Sequence, residues 1–316
     1  MKKYAFGVDV GGTTCKIGLF ETSGRLIEKW KIKTDTQNGG EQILSDVAAF
    51  IEVKLTDIGI GREEVQGIGM GVPGPVREDG IVSLCVNLGW RERNVAKELQ
   101  ALTGFIVKVG NDANVAALGE MWQGSAKGCK NTVMVTLGTG VGGGVIVGGR
   151  IIPGFDGAGG EIGHISVCPE ESEPCNCGRY GCLEQYVSAT GIVRVTKRRL
   201  EGTDASTSLR EIASDCLTAK DVFDAAKAGD VIALELVDEV CEILGLALSN
   251  MACVVNPEMI VIGGGVSGAG AILVDGIRKH FMAHAFTSCQ KTKFSLAGLG
   301  NDAGIYGGVQ MLLQDE

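Results

Sequence analysis

The chain has 316 residues, 45% hydrophobic and 21% charged, which is globular in composition and more than one ordinary core holds, so two domains are expected. A formal net charge of −9 argues against nucleic acid, whose phosphates would be repelled, and no apolar run of about 18 residues offers a membrane span. Eleven scattered cysteines, an odd number, behind a start without a signal-like apolar stretch, fit a reducing cytoplasm.

In chain order, "YAFGVDV" alternates as a strand, "GGTT" turns, "CKIGLF" returns, and "RLIEKWKIKT" supplies a third strand. "EQILSDVAAFIEVKL" has helical spacing, with Ile43, Val47, Phe50 and Ile51 on one face. "VQGIGMGVPGPV" reads as a buried strand running into a loop broken by Pro73 and Pro75. A helix over "NVAKELQAL" and a strand over "FIVKVGNDA" complete this unit. The pattern then restarts: "TVMVTLGTGVGGGVIVGGRII" repeats strand, glycine turn, strand, and a duplicated α/β unit explains it most simply. After a cysteine-rich segment come mostly helices, the longest from about Val231 to Met251 with Val237, Val240, Leu244, Leu248 and Met251 on one face. "EMIVIGGGVS" is a further buried strand with a glycine turn and a helix after it, and "GNDAGIYGGVQMLLQ" closes as a helix.

Glycine is the compositional oddity, with 49 residues concentrated in short bursts. Three bursts follow strands: Asp9–Lys16, 137–144 and 262–267. Without a Cβ, such turns let a polyphosphate approach backbone N–H groups, and threonines in two of them suit a nucleotide and its metal. None is a Walker A sequence, and the G-x-G-x-x-G at Gly138, Gly140 and Gly143 precedes a strand instead of the helix a dinucleotide fingerprint needs. Asp9 reads either as a turn cap or as a carboxylate for phosphate-bound Mg²⁺, direct or through water. In "GNDAN", Asp112 stands at a strand end and a helix start, and two readings remain: a helix N-cap, or a general base that accepts a substrate proton. Asn111 and Asn114 beside it suit hydrogen bonds to hydroxyls. Glu161 and His164 follow a further glycine stretch. His164 with Cys175, Cys177 and Cys182 makes a Cys₃His set suited to tetrahedral structural zinc. A disulfide fits poorly in a reducing compartment, C-x-C lacks the thioredoxin-like spacing, and Cys168 is an alternative thiol nearby.

Together "DVGGTTCKIGLF", "GVPGPV", "NDANVAALGE", "LGTGVGGGVIV", "GGEIGHISV" and "CNCGRYGCLE" resemble, in order and over nearly the whole chain, the ROK family of repressors, open reading frames and sugar kinases. The resemblance, nearest to its bacterial glucokinases, implies an actin-like (ribonuclease H-like) ATPase fold, with two α/β domains closing on sugar and ATP. The small domain would span 1–112 plus 301–316, and the large one 113–300 with the zinc loop. Asp112 falls on the family's base. Its sugar contacts fall on Asn87, Asn111, Glu161, His164 and Glu184, with one imidazole nitrogen of His164 on zinc and the other near the sugar. The nucleotide contacts fall on Asp9, Gly11, Gly12, Thr13, Thr14, Lys16, Gly138, Thr139 and Gly140, with Gly264 beside the adenosine. The implied reaction is phosphorylation of glucose to glucose 6-phosphate by Mg·ATP in glycolysis, in a homodimer or homotetramer. N-acetylmannosamine, mannose or fructose are alternative sugars, and a sugar sensor without turnover is an alternative class. The family's repressors carry an N-terminal helix-turn-helix; this acidic chain starts at the first phosphate strand, so no nucleic-acid partner is expected.

Overall fold

The structure is a computed structural model and describes residues 2–314; residues 1, 315 and 316, which the expected domain bounds include, lie outside it. Among the described residues the strands are β1 (Tyr4–Val10), β2 (Thr14–Glu21), β3 (Leu26–Lys33), β4 (Val65–Val72), β5 (Ile81–Cys85), β6 (Trp90–Asn94), β7 (Val107–Asn111), β8 (Thr132–Leu137), β9 (Val141–Val147), β10 (Arg150–Ile151), β11 (Met259–Gly263) and β12 (Lys293–Leu296). The α-helices are α1 (Ile43–Ile58), α2 (Val95–Thr103), α3 (Asp112–Gln123), α4 (Glu184–Val187), α5 (Ala189–Glu201), α6 (Ala219–Lys227), α7 (Val231–Val255), α8 (Ala271–His284) and α9 (Ala303–Leu313).

Two five-stranded sheets have matching orders, β3-β2-β1-β4-β7 and β10-β9-β8-β11-β12. In each, a three-strand meander places its first strand at the centre, and two later strands add beyond it. The duplication expected from the glycine-turn repeat is therefore present in the topology. In the first sheet β1 pairs antiparallel with β2 and parallel with β4, and β4 pairs parallel with β7. In the second, β11 lies parallel to both β8 and β12. Central strands covered on both faces read as continuous apolar runs: Ala5, Phe6 and Val8 of β1 are fully buried, as are Val261 and Ile262 of β11.

The chain divides into two compact units: Met1–Lys130, Gly144–Gly160 and Gly298–Glu316 in one, Asn131–Gly143 and Glu161–Ala297 in the other. The first unit centres on residues such as Val8, Ile17, Ile51, Ile68 and Met70. The second centres on Val135, Ile262, Phe281 and one face of α7. Helix α7 is capped by Asp230, whose side chain accepts from Ala233 N at 3.1 Å, and runs four residues past the expected Met251. Val237, Val240, Leu244 and Leu248 are buried as their spacing requires, whereas Met251 is half-buried. Phe50 of α1 is likewise half-buried beside the stripe of Ile43, Val47 and Ile51, with its ring edge-on to Trp30 at 5.8 Å. The sequence reading had no β5–β6 hairpin, where the charged run Arg91–Arg93 hides the alternation. Among the described residues no helix is long and apolar enough to cross a membrane.

Candidate functional site

In the first unit, the candidate residues gather where the parallel strands end. Asp9 lies in register with Gly71 of β4, and Val72 with Asn111 of β7, so Asp9 and Asn111 occupy the same sheet edge. Two strand spacings, about 10 Å, separate those backbones. Asp9 also faces Lys16 directly across β1 and β2. Lys16 Nζ donates to Asp9 Oδ2 at 2.9 Å and to the Asn301 carbonyl at 2.7 Å. The Gly11–Thr14 turn between them is tied down by Gly11 N–H to Thr14 O at 3.0 Å, and by Thr34 Oγ1 to Gly11 O at 2.7 Å. Asn87, exposed on the turn between β5 and β6, stands with its Cβ 3.9 Å from where a side chain on Gly12 would begin.

At the head of α3 the capping role falls to Asn111, not Asp112. Asn111 Oδ1 accepts from Ala113 N at 3.0 Å and Asn114 N at 3.1 Å, and its Nδ2 donates to Gly74 O at 3.1 Å. Asp112 is the first helical residue, its carboxylate placed where the helix dipole favours negative charge, and its Oδ1 accepts from Ala113 N at 2.8 Å. Asn114 is buried, with Nδ2 donating to Gly159 O at 3.0 Å. Its amide supports the fold and is withdrawn from the hydroxyl contacts its place in "NDAN" suggested.

In the second unit, the segment 165–183 folds back on itself. Val167 N–H donates to Gly181 O and Leu183 N–H to Ile165 O, both at 2.8 Å, and isolated β-bridges join Ser166 to Cys182 and Pro174 to Tyr180. This ribbon carries Cys182 back to His164, which ends the short turn Ile162–His164. Cys175 N–H donates to Arg179 O at 2.7 Å, closing the tight loop that holds Cys177. The ligand atoms of His164, Cys175, Cys177 and Cys182 all lie within 4.8 Å of one another. Cys177 Sγ and Cys182 Sγ are 3.7 Å apart, and Cys175 Sγ is 3.9 Å from His164 Nδ1. Zinc–sulfur bonds of about 2.3 Å in a tetrahedron put sulfurs about 3.8 Å apart, so the residues fit that ion. Burial first, then the neighbouring thiols, pushes Cys182 up to about 12. Burial also raises Cys175, whereas the Arg179 N–H and the sulfur contacts outweigh burial at Cys177 and lower it. A thiol cluster of this kind needs a cation to ionise together. Cys168 stands outside the set, its thiol beside the Tyr186 hydroxyl.

Glu184 opens α4 two residues after Cys182. Its Oε1 is 3.8 Å from Cys175 Sγ, and its Oε2 accepts from Val141 N at 2.9 Å. A Cβ on Gly140 would lie 2.2 Å from that oxygen, so the carboxylate fills the space glycine leaves. Glu161 is exposed, three residues before His164.

The second and third glycine turns meet because their strands are neighbours: Gly263 of β11 pairs with Thr136 of β8. Gly264, at φ +80°, carries the chain over the end of β8, where a Cβ would stand 2.4 Å from Leu137 O. Gly138, Thr139 and Gly265 then line a cavity of about 510 Å³, floored by Phe223, Val266 and Ala269 and edged by Lys220, Asp224 and Lys227. Gly264 itself is not in the lining. Sequence reasoning missed α6 altogether as a ligand wall. Its start is legible as a capping box at Thr218 and Asp221, but nothing in the residues says that it faces Gly265.

A duplicated α/β meander carrying glycine turns at its strand ends is the actin-like ATPase fold, and the solved structures agree. A ROK family glucokinase from Streptomyces griseus, in complex with glucose and AMPPNP, is 31% identical with a TM-score of 0.77, covering 98% of this chain and 99% of its own. The ROK hexokinase from Thermus thermophilus is 28% identical with a TM-score of 0.81, over 99% of this chain and 100% of its own. The ROK family matches residues 5–315, and the chain belongs to that family. A glucokinase of Halalkalibacterium halodurans is 45% identical over 317 aligned positions, covering 99% of this chain and 96% of the relative.

Proposed function

We propose that this protein transfers the γ-phosphoryl group of ATP to the 6-hydroxyl of glucose, giving glucose 6-phosphate. The observation that carries the reading lies in the second unit: the Gly138–Gly140 turn borders the cavity on one side and touches Glu184 on the other. One turn thus adjoins a nucleotide-sized space and a carboxylate suited to sugar hydroxyls. Similarity to a glucokinase at 45% identity supports glucose as the sugar.

In this reading Asp112, at the first position of α3 with Asn111 as the N-cap, accepts the proton of the attacking hydroxyl. Glu161, His164 and Glu184 hydrogen-bond the sugar, with Asn87 and Asn111 as further contacts. His164 offers Nδ1 to the cysteine cluster and so presents Nε2 to the ligand. Amide N–H groups of the Gly11–Thr14 and Gly138–Gly140 turns, other than those of Gly11 and Gly138 that bond Thr14 O and Gly140 O, offset charge on the phosphates together with Lys16. Asp9 would hold Mg²⁺, directly or through water, which supplies neutralisation of the phosphate oxygens. His164, Cys175, Cys177 and Cys182 would hold zinc, whose four protein ligands make it a structural cross-link.

The test is Asp112→Asn, which keeps size and hydrogen bonding. Turnover in a coupled ADP-release assay should fall by about 10³-fold while calorimetry still shows glucose binding. Near-parental turnover would remove Asp112 from the base role. The same assay run over mannose, fructose and N-acetylmannosamine decides the sugar.

A further inference from the structure

The turn that adjoins the cavity is held by the start of α5, whose first residue, Ala189, lines the same cavity. Ala189 N–H donates to the Gly138 carbonyl at 2.8 Å, and Thr190 Oγ1 donates to the Thr139 carbonyl at 2.7 Å. Both peptide bonds are trans, so each carbonyl and the N–H that follows it point in opposite directions across one rigid plane. Pinning Gly138 O therefore aims Thr139 N–H away from α5, and pinning Thr139 O aims Gly140 N–H the same way. The first of these ties comes from the backbone and is independent of side-chain identity. The second depends on one hydroxyl.

The same short stretch also carries Glu184. Ser188 Oγ donates to the Glu184 carbonyl at 2.7 Å and accepts from Gly191 N at 2.9 Å. Ser188 Oγ and Thr190 Oγ1 lie 3.1 Å apart, and each hydroxyl also reaches a different backbone carbonyl. One helix junction thus fixes the backbone that presents Glu184 and the peptide planes of the glycine turn.

We propose that Thr190 is a positioning residue for the nucleotide: its hydroxyl sets the Thr139–Gly140 peptide plane so that the Gly140 N–H is already aimed at a phosphate oxygen when ATP arrives. This rests on the ATP-dependent reading above. Thr190 is exposed and does not line the cavity, so its effect passes through the turn.

The experiment compares Thr190→Val, which keeps the shape and removes the hydroxyl, with Thr190→Ser, which keeps the hydroxyl, and with Thr190→Ala as a second deletion should valine disturb folding. Affinity for a non-hydrolysable ATP analogue is measured by calorimetry beside KM for ATP, KM for glucose, kcat and bound zinc. Loss of one hydrogen bond should weaken analogue affinity and raise KM for ATP about fivefold in the valine and alanine variants. Glucose KM, kcat at saturating ATP and metal content stay at parental values, and serine restores analogue binding. Parental analogue affinity in both deletions overturns the proposal. So does a serine variant as weak as valine, or a parallel rise in glucose KM with loss of metal, which marks a general structural role. A parent protein that binds no ATP analogue overturns the functional reading itself, and this proposal with it.

Discussion

Replacing Glu171 by Gln should destabilise the second unit and loosen the cysteine loop, though Glu171 belongs neither to the Cys₃His set nor to the cavity lining. Its side chain is 3% exposed and accepts from Arg198 Nη1 at 2.8 Å and Nη2 at 2.9 Å, and from Arg194 Nη2 at 3.1 Å. Tyr186 OH donates to it at 2.7 Å, and the Ser172 and Glu173 N–H groups at 2.9 and 3.0 Å. Glutamine keeps one acceptor but turns its NH₂ toward a guanidinium and leaves two arginines without their shared anion. Breaking a buried pair costs about 3–5 kcal/mol. Arg198 is 39% exposed and keeps Glu173 at 2.7 Å, so solvent and the second acid bring the figure down to about 2–3 kcal/mol. For a unit of this size that lowers Tm by about 6–10 °C. The loss should reach the cysteines, because Gln185 links the two regions: its Nε2 donates to Glu173 O at 2.9 Å and its Oε1 accepts from Cys182 N at 3.1 Å. Scanning calorimetry of the metal-loaded protein, with the rate of zinc release to a chelator, checks both. A Tm within about 1 °C of the parent, together with unchanged release, refutes the network as a support of the loop.

The same carboxylate predicts a pH dependence. Arg198 above all holds Glu171 well below the usual carboxylate range, against the opposing effect of burial. A depressed folded-state value contributes fully above the unfolded value of about 4.3 and is lost as pH falls through the folded one. The Tm gap between parent and Glu171→Gln should be constant from about pH 5 to 8 and narrow below about pH 4; a gap that widens in acid contradicts the assignment. Gly140→Ala puts a Cβ 2.2 Å from Glu184 Oε2, so the carboxylate must leave Val141 N. Glucose KM should rise about tenfold in steady-state kinetics, and an unchanged value would place Glu184 outside the sugar site. Cys177→Ala, or chelation, removes one or all of the metal contacts and should weaken glucose more than ATP when both are titrated calorimetrically. Metal-free protein with parental glucose affinity would reduce the cluster to a surface staple.

The sequence made the repeated meander, the glycine turns and the Cys₃His set legible because each is local: a strand alternation, a missing Cβ, a thiol spacing. Distance in the chain hid the rest. Asn111 and Asp112 are both good N-caps on paper, and only the extended backbone at Asn111, φ −62° and ψ 139°, decides between them. Phe223 and Lys220 read as an ordinary amphipathic face until α6 is set beside Gly265. Glu171 is one of three acids in "PEESEP", and its burial depends on two arginines 23 and 27 residues away. Asn114 sat in a motif rich in hydroxyl-binding residue types, yet its amide is spent on Gly159 O.

What makes the second unit a coherent chemical site is strand adjacency followed by helix adjacency. Parallel pairing of β8 with β11 brings the turn after residue 137 beside the turn after residue 263, which creates the cavity wall from two chain segments more than a hundred residues apart. The ribbon 165–183 then delivers α4 and α5 to the first turn, with Glu184 at Val141 N, Thr190 at Thr139 O and Ala189 in the cavity lining. The Cys₃His cluster closes that ribbon at His164 and Cys182, two residues before Glu184. A cation held at the cysteines would therefore fix where the carboxylate stands, and the carboxylate and the hydroxyl both bond to the turn. Losses at the cluster should accordingly pass to the sugar first, through Glu184. The peptide planes of the Gly138–Gly140 turn keep the backbone tie from Ala189, which involves none of the Cys₃His residues.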